Sequence, residues 1–228
     1  MTATTGPSSE TAAGAAVLAD LDRALAELPL VAILRGMTPA EAPAVGDALI
    51  EAGFRILEVP LNSPDPFDGI ARLAERVGDR AVVGAGTVLS APDAREAIAA
   101  GARLIVSPET HPPVIEAALA GDVVAMPGFA TPSEAFTALR AGAQTIKLFP
   151  AESLGPAFLK GVMAVLPKGT RVIPTGGATP ETIGTFFEVG AVGVGIGSAL
   201  YKPGLDAATV ERRARAFDEA WRAWAAAR

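Results

Sequence analysis

The 228 residues are half hydrophobic and 19% charged, enough for one buried core and too few for two ordinary domains. Gly, Pro or a charged residue interrupts every apolar run before the roughly 18 residues that a membrane-spanning helix needs, and a net charge of −6 with no basic run argues against an extended nucleic-acid surface. The absence of cysteine excludes disulfides, thiolate nucleophiles and cysteine metal sites, and a single histidine leaves little for an imidazole-based one, so a small-molecule partner and a cytoplasmic location are expected.

Taken in chain order, residues 1–16 are rich in Thr, Ser, Ala and Gly and lack the layout of a signal peptide. They read as a disordered tail ahead of a single domain over 17–228. Eight short apolar runs follow, at 30–34, 55–59, 81–84, 103–106, 122–126, 144–149, 171–174 and 192–196. Helical patterns fill the gaps, several opening on a proline or an acidic residue, as at Thr38-Pro39-Ala40-Glu41, Ala91-Pro92-Asp93, Thr131-Pro132-Ser133-Glu134 and Thr179-Pro180-Glu181. Gly53, Gly101, Gly142 and Gly190 each stand between a helix and the next strand, in the position where a helix favours a left-handed residue. Strands joined by crossover helices are parallel, and eight such units predict a closed (β/α)8 TIM barrel, with an open doubly wound sheet as the alternative. The last stretch, 207–227, predicts a long amphipathic helix bearing Trp221 and Trp224.

In such barrels reactive groups lie at the C-terminal ends of strands. Strand alternation in Thr145-Ile146-Lys147-Leu148-Phe149 turns Lys147 inward and Ile146 and Leu148 toward the helices. Burial disfavours the ammonium, giving a neutral amine able to attack a carbonyl and form an iminium. The alternative is a structural lysine paired with a carboxylate. Ile56-Leu57-Glu58-Val59 turns Glu58 inward by the same count, where a carboxyl beside the amine can move protons; a core salt bridge is the weaker reading, because burying two charges brings little net stability. Thr175-Gly176-Gly177 and Gly193-Val194-Gly195-Ile196-Gly197-Ser198 end the seventh and eighth predicted strands. Backbone N–H groups at two adjacent strand ends suit a phosphate. Thr87, after Gly84-Ala85-Gly86, brings a hydroxyl to the rim. Arg35, after the first strand, is placed to grip a carboxylate or phosphate bidentately, or is a surface arginine. His111 has no partner motif and reads as structural.

The segments Ile56-Leu57-Glu58-Val59, Gly84-Ala85-Gly86-Thr87-Val88-Leu89, Ile146-Lys147-Leu148-Phe149-Pro150-Ala151 and Thr175-Gly176-Gly177, in this order, closely resemble the 2-keto-3-deoxy-6-phosphogluconate and 2-keto-3-deoxy-6-phosphogalactonate aldolases. The resemblance runs from about Leu30 to Gly204. It implies a cofactor- and metal-free homotrimeric lyase in which Lys147 is the Schiff-base lysine, Glu58 the general acid/base and Thr87 a contact to the pyruvate portion. Gly176, Gly177, Gly197 and Ser198 would form the phosphate pocket. Where the gluconate enzymes commonly have Thr-Leu-Arg-Thr, this chain has Pro60-Leu61-Asn62-Ser63. That departure resembles the galactonate branch; Asn62 then joins the substrate-binding set, and Arg35 stands in for the missing arginine as carboxylate anchor. The expected activity is cleavage of the phosphogalactonate substrate to pyruvate and glyceraldehyde 3-phosphate. Gluconate or 4-hydroxy-2-oxoglutarate cleavage and a non-catalytic phosphosugar-binding module are the alternatives.

Overall fold

A computed structural model describes residues 12–228. The tail expected over 1–16 lies outside the described residues as far as Thr11, and 12–16 already belong to the first helix, α1 (Ala12–Glu27). Strands and helices then alternate: β1 (Leu30–Ile33), α2 (Ala42–Glu51), β2 (Ile56–Pro60), α3 (Pro66–Val77), β3 (Val82–Gly86), α4 (Ala91–Ala99), β4 (Leu104–Val106), α5 (Pro112–Ala120), β5 (Val124–Met126) and β6 (Gly128–Phe129). They continue as α6 (Pro132–Arg140), β7 (Thr145–Leu148), α7 (Ala151–Met163), β8 (Arg171–Pro174), α8 (Ile183–Phe187), β9 (Val194–Ile196) and α9 (Ala207–Ala226).

All named strand pairs are parallel, as the crossover helices require. The expectation of a closed eight-stranded barrel is corrected. The strands form two separate sheets, a six-stranded half-barrel in the order β5-β4-β3-β2-β1-β9 and a three-stranded sheet in the order β6-β7-β8. Both seams have a local cause. Pro127, directly after the run expected to be the fifth strand, separates β5 from β6, because proline has no N–H to give to a ladder. At the other seam a single bridge, Thr175 to Gly195, joins the edges. There the chain turns into left-handed backbone at Gly176 and Gly177, with φ of +117° and +68°, and no further ladder can form.

Two apolar layers follow from the two faces of the strands. Leu57, Val59, Ile146 and Leu148 pack outward against the helices. Val31, Ile56, Val82, Leu104, Val124 and, from the smaller sheet, Ile173 pack inward against each other, with Leu21 and Ala24 of α1 in the same cluster. Helix α1 is tied to the starts of strands in both sheets, through Asp20 to Arg103, Glu27 to Arg55 and Asp22 to Arg171. The glycines at 53, 101, 142 and 190 have φ between +93° and +102°, as their place at helix ends predicted. Two helix starts differ from expectation. Residues 38–41 form turns, because the Glu41 carboxylate accepts hydrogen bonds from the N–H and hydroxyl of Thr38 at 2.8 and 2.6 Å, and α2 begins at Ala42. The segment opened by Thr179-Pro180 becomes helical at Ile183.

Candidate active site

Lys147 and Glu58 stand on different sheets and reach the same interior. Glu58 pairs in register with Ile33 and Gly84, and Lys147 with Gly128 and Ile173. Alternation does what the sequence suggested: Ile56 belongs to the inner cluster and Leu57 and Val59 to the outer one, so Glu58 faces inward. Glu58 is 1% exposed and Lys147 5%. Gly86 makes room for the carboxylate, since a methyl group built on it would fall onto Glu58 Oε2. That oxygen is buried without a hydrogen-bond partner, which leaves it free to take or give a proton.

Burial is the larger influence on both groups. It raises the Glu58 pKa above the usual 4.5, against the opposing pull of Lys147 and Arg35. It lowers the Lys147 pKa below the usual 10.5, against the pull of Glu58 and with the help of Arg35. Both shifts run in the direction of a neutral amine and a protonated acid. The ammonium or amine of Lys147 lies 5.1 Å from the centre of the Phe149 ring, which closes its outer side.

Above this pair the rim carries Arg35, Asn62 and Thr87. Arg35 donates to Asn62 Oδ1 at 2.6 Å and reaches the Thr87 hydroxyl at 3.5 Å. The Gly36 N–H donates to Ser63 Oγ at 2.9 Å, which fastens the loop carrying Arg35 to the loop carrying Asn62. Thr87 holds φ at +55°, a strained conformation for a β-branched residue and one more often found at functional sites than elsewhere.

A cleft of about 490 Å³ opens beside the rim; Arg35, Phe149, Gly176, Gly177, Gly197 and Ser198 are among the residues that line it. The structure thus brings Arg35 and the four predicted phosphate-site residues to one cavity and places Asn62 and Thr87 against Arg35, while Lys147 and Glu58 do not line that cavity and Lys147 borders it through Phe149. His111 precedes α5 and makes no side-chain capping bond. Sequence reasoning missed Phe149, Lys202 and Glu152 as cleft residues. Phe149 was legible from alternation, two residues past Lys147. Lys202, four residues beyond Ser198, had only its charge to mark it. Glu152 faces the cleft because α7 starts beside the Gly176 turn, a tertiary fact with no local signal.

A second cleft of about 270 Å³, lined in part by Arg23, Arg55, Arg80 and Arg103, sits where α1 meets the strand starts. Arg23, Arg55 and Arg103 are paired with Asp20 and Glu27, so this cleft holds little unspent charge.

A desolvated amine that interacts with a buried carboxyl, near a glycine-lined cleft at the C-terminal ends of parallel strands, is equipment for an enzyme acting on carbonyl compounds that carry an anionic tail. Comparison with known proteins narrows that class. The family model of KDPG and KHG aldolases matches residues 21–214. A 2-dehydro-3-deoxy-6-phosphogalactonate aldolase of Escherichia coli (strain K12) is 45% identical over 197 residues, 86% of this chain and 96% of that protein. Among solved structures, one described as native KDPGal superposes with a TM-score of 0.86 at 43% identity, covering 88% of this chain and 97% of its own. A KDPG aldolase from Legionella pneumophila, captured with pyruvate as a covalent carbinolamine intermediate, has a TM-score of 0.74 at 26% identity, covering 93% and 98%. This chain belongs to the KDPG and KHG aldolase family. It is an enzyme, a carbon–carbon lyase, and the non-catalytic alternative falls away.

Proposed function

We propose that the chain cleaves 2-dehydro-3-deoxy-6-phosphogalactonate to pyruvate and glyceraldehyde 3-phosphate through an imine on Lys147. The observation that carries the reading is the buried Lys147 amine, with its pKa lowered, sharing an interior with Glu58. The substrate carboxylate meets Arg35, held by Asn62 beside Thr87, and the phosphate meets the N–H groups around Gly176, Gly177 and Gly197, the Ser198 hydroxyl and the Lys202 ammonium.

The neutral Nζ of Lys147 adds to the C2 ketone to give a carbinolamine. Protonated Glu58 delivers a proton to the departing hydroxyl, water leaves, and a protonated imine remains. Glu58, now a carboxylate, takes the proton of the C4 hydroxyl. The C3–C4 bond breaks, its electron pair moves into the imine to form an enamine, and C4 becomes the aldehyde of glyceraldehyde 3-phosphate. Protonation of the enamine at C3 and hydrolysis release pyruvate and restore the amine. The protonated imine is the electron sink for the carbon–carbon cleavage, so that step calls for no metal or cofactor. Binding energy from the phosphate, which does not react, aligns the bond that breaks.

The galactonate choice is supported by Asn62 in place of the gluconate branch's arginine and by the higher identity to relatives of the galactonate name. Measuring kcat/KM for the two C4 epimers tests it: the galactonate epimer is the better substrate, and a preference for the gluconate epimer or for 4-hydroxy-2-oxoglutarate would overturn the choice. The family resemblance supports a homotrimer, which native mass spectrometry would show as three copies of a 23.1 kDa chain. A charged phosphorylated substrate supports a cytoplasmic location.

A further inference from the structure

Most polar groups lining the cleft can donate a hydrogen bond, as an anion requires. Glu152 breaks that pattern. It stands in the first turn of α7 and faces the cleft. Its side chain is exposed and lies beside the glycine turn: a methyl on Gly176 would meet Glu152 Oε2, and one on Gly177 would come within 2.6 Å of Glu152 Cβ. At Gly177 the close approach to Glu152 Cβ favours glycine alongside the positive φ, and at Gly176 the positive φ itself does so. Among the described residues the Glu152 carboxylate has no hydrogen bond and no ion pair. An ionised carboxylate only accepts hydrogen bonds, and next to a phosphate it repels, so leaving it there lowers affinity unless a ligand hydroxyl donates to it.

Within the reaction proposed above, on which this inference rests, Glu58 takes the C4 hydroxyl proton and the phosphate sits on C6. One hydroxyl, on C5, lies between them and has no partner. We infer that Glu152 accepts a hydrogen bond from the C5 hydroxyl and makes the enzyme selective for phosphorylated aldehydes that carry a hydroxyl next to the phosphate ester. Charge repulsion against the phosphate adds to the discrimination: an aldehyde without that hydroxyl meets the repulsion and gains nothing in return. A purely structural role, as a favourable charge at the start of α7 and a spacer for the glycine turn, would not depend on the acceptor.

The synthetic direction separates the two. Wild-type, Glu152→Gln and Glu152→Ala proteins condense pyruvate with glyceraldehyde 3-phosphate or with 3-oxopropyl phosphate, which lacks the hydroxyl. Glu152→Ala is expected to lose about tenfold or more in kcat/KM for glyceraldehyde 3-phosphate, the scale of a hydrogen bond to a charged group, and to change little or improve with 3-oxopropyl phosphate. Glu152→Gln keeps the packing and is expected to fall between. Equal losses with both aldehydes, or a gain with both, would overturn the assignment. Pyruvate trapping by borohydride is run on the same proteins: intact trapping at Lys147 with acceptor-independent losses refutes the role of Glu152 alone, whereas no trapping in the wild type refutes the imine reaction and this inference together.

Discussion

At the scale of single residues, the proposed function depends on keeping two ionisable groups where water is scarce. Glu58→Gln keeps the shape but removes the shuttled proton; kcat is expected to drop by about 10²–10⁴, the usual contribution of a positioned acid/base, with a smaller change in KM, as steady-state kinetics would show. Gly86→Ala puts a methyl where Glu58 Oε2 now lies, so it is expected to cost activity on a similar scale while leaving a folded protein by circular dichroism. The pH dependence has a definite sign. Because the Lys147 pKa is lowered from 10.5, neutral amine persists well below the range of an exposed lysine, and it is protonated as pH falls through the lowered value. The rate of imine formation with pyruvate, followed by borohydride trapping, is therefore expected to stay high below the pH at which an exposed lysine is already protonated, and to fall as pH drops through the lowered pKa. A rate that rises only toward pH 10 would contradict the shift. Both groups were legible in the sequence because a charge in a short apolar strand is conspicuous and a period of two fixes its face. Glu152 and Lys202 were not, because loops and helix starts have no such period.

At the scale of elements, local chemistry sets the boundaries more firmly than the repeat does. Thr131 caps α6, its hydroxyl accepting from the Glu134 N–H while Glu134 Oε2 accepts from the Thr131 N–H at 2.8 Å. Thr131→Ala is expected to cost about 1 kcal/mol, measured by urea denaturation, with the active-site kinetics unchanged; no loss would mean that the cap is already satisfied by water. Start signals of this kind placed α4 and α6 correctly. They misplaced α2, where the same Thr-Pro-x-Glu pattern closes a turn three residues earlier, since Glu41 satisfies Thr38 instead of starting a helix there. The break at Pro127 was visible as a proline. Its consequence, an interrupted ladder and a separate three-stranded sheet, was not, because the repeat pattern counts strands and says nothing about whether each edge is hydrogen-bonded.

At the scale of the molecule, the two sheets share an inner apolar cluster that α1 completes. Leu21 is fully buried in it, with no exposed surface. Leu21→Ala is expected to destabilise the fold by about 2–5 kcal/mol, as for a leucine removed from a packed interior, and a loss under 1 kcal/mol by chemical denaturation would show that α1 is an accessory. This helix was partly hidden in the sequence, since its alanine- and glycine-rich start reads as tail. The alternation of strand and helix and the parallel pairing were legible from the βα repeat, while the closed barrel it predicted is replaced by two sheets; the proposed chemistry converges on one claim: that Lys147 reacts as a neutral amine. The most direct measurement is mass spectrometry of the protein treated with pyruvate and borohydride, with peptide mapping. A single reduced pyruvate adduct is expected on Lys147 and none on the Lys147→Met protein; no adduct on folded protein, or an adduct on another lysine, would rule out a neutral, reactive Lys147.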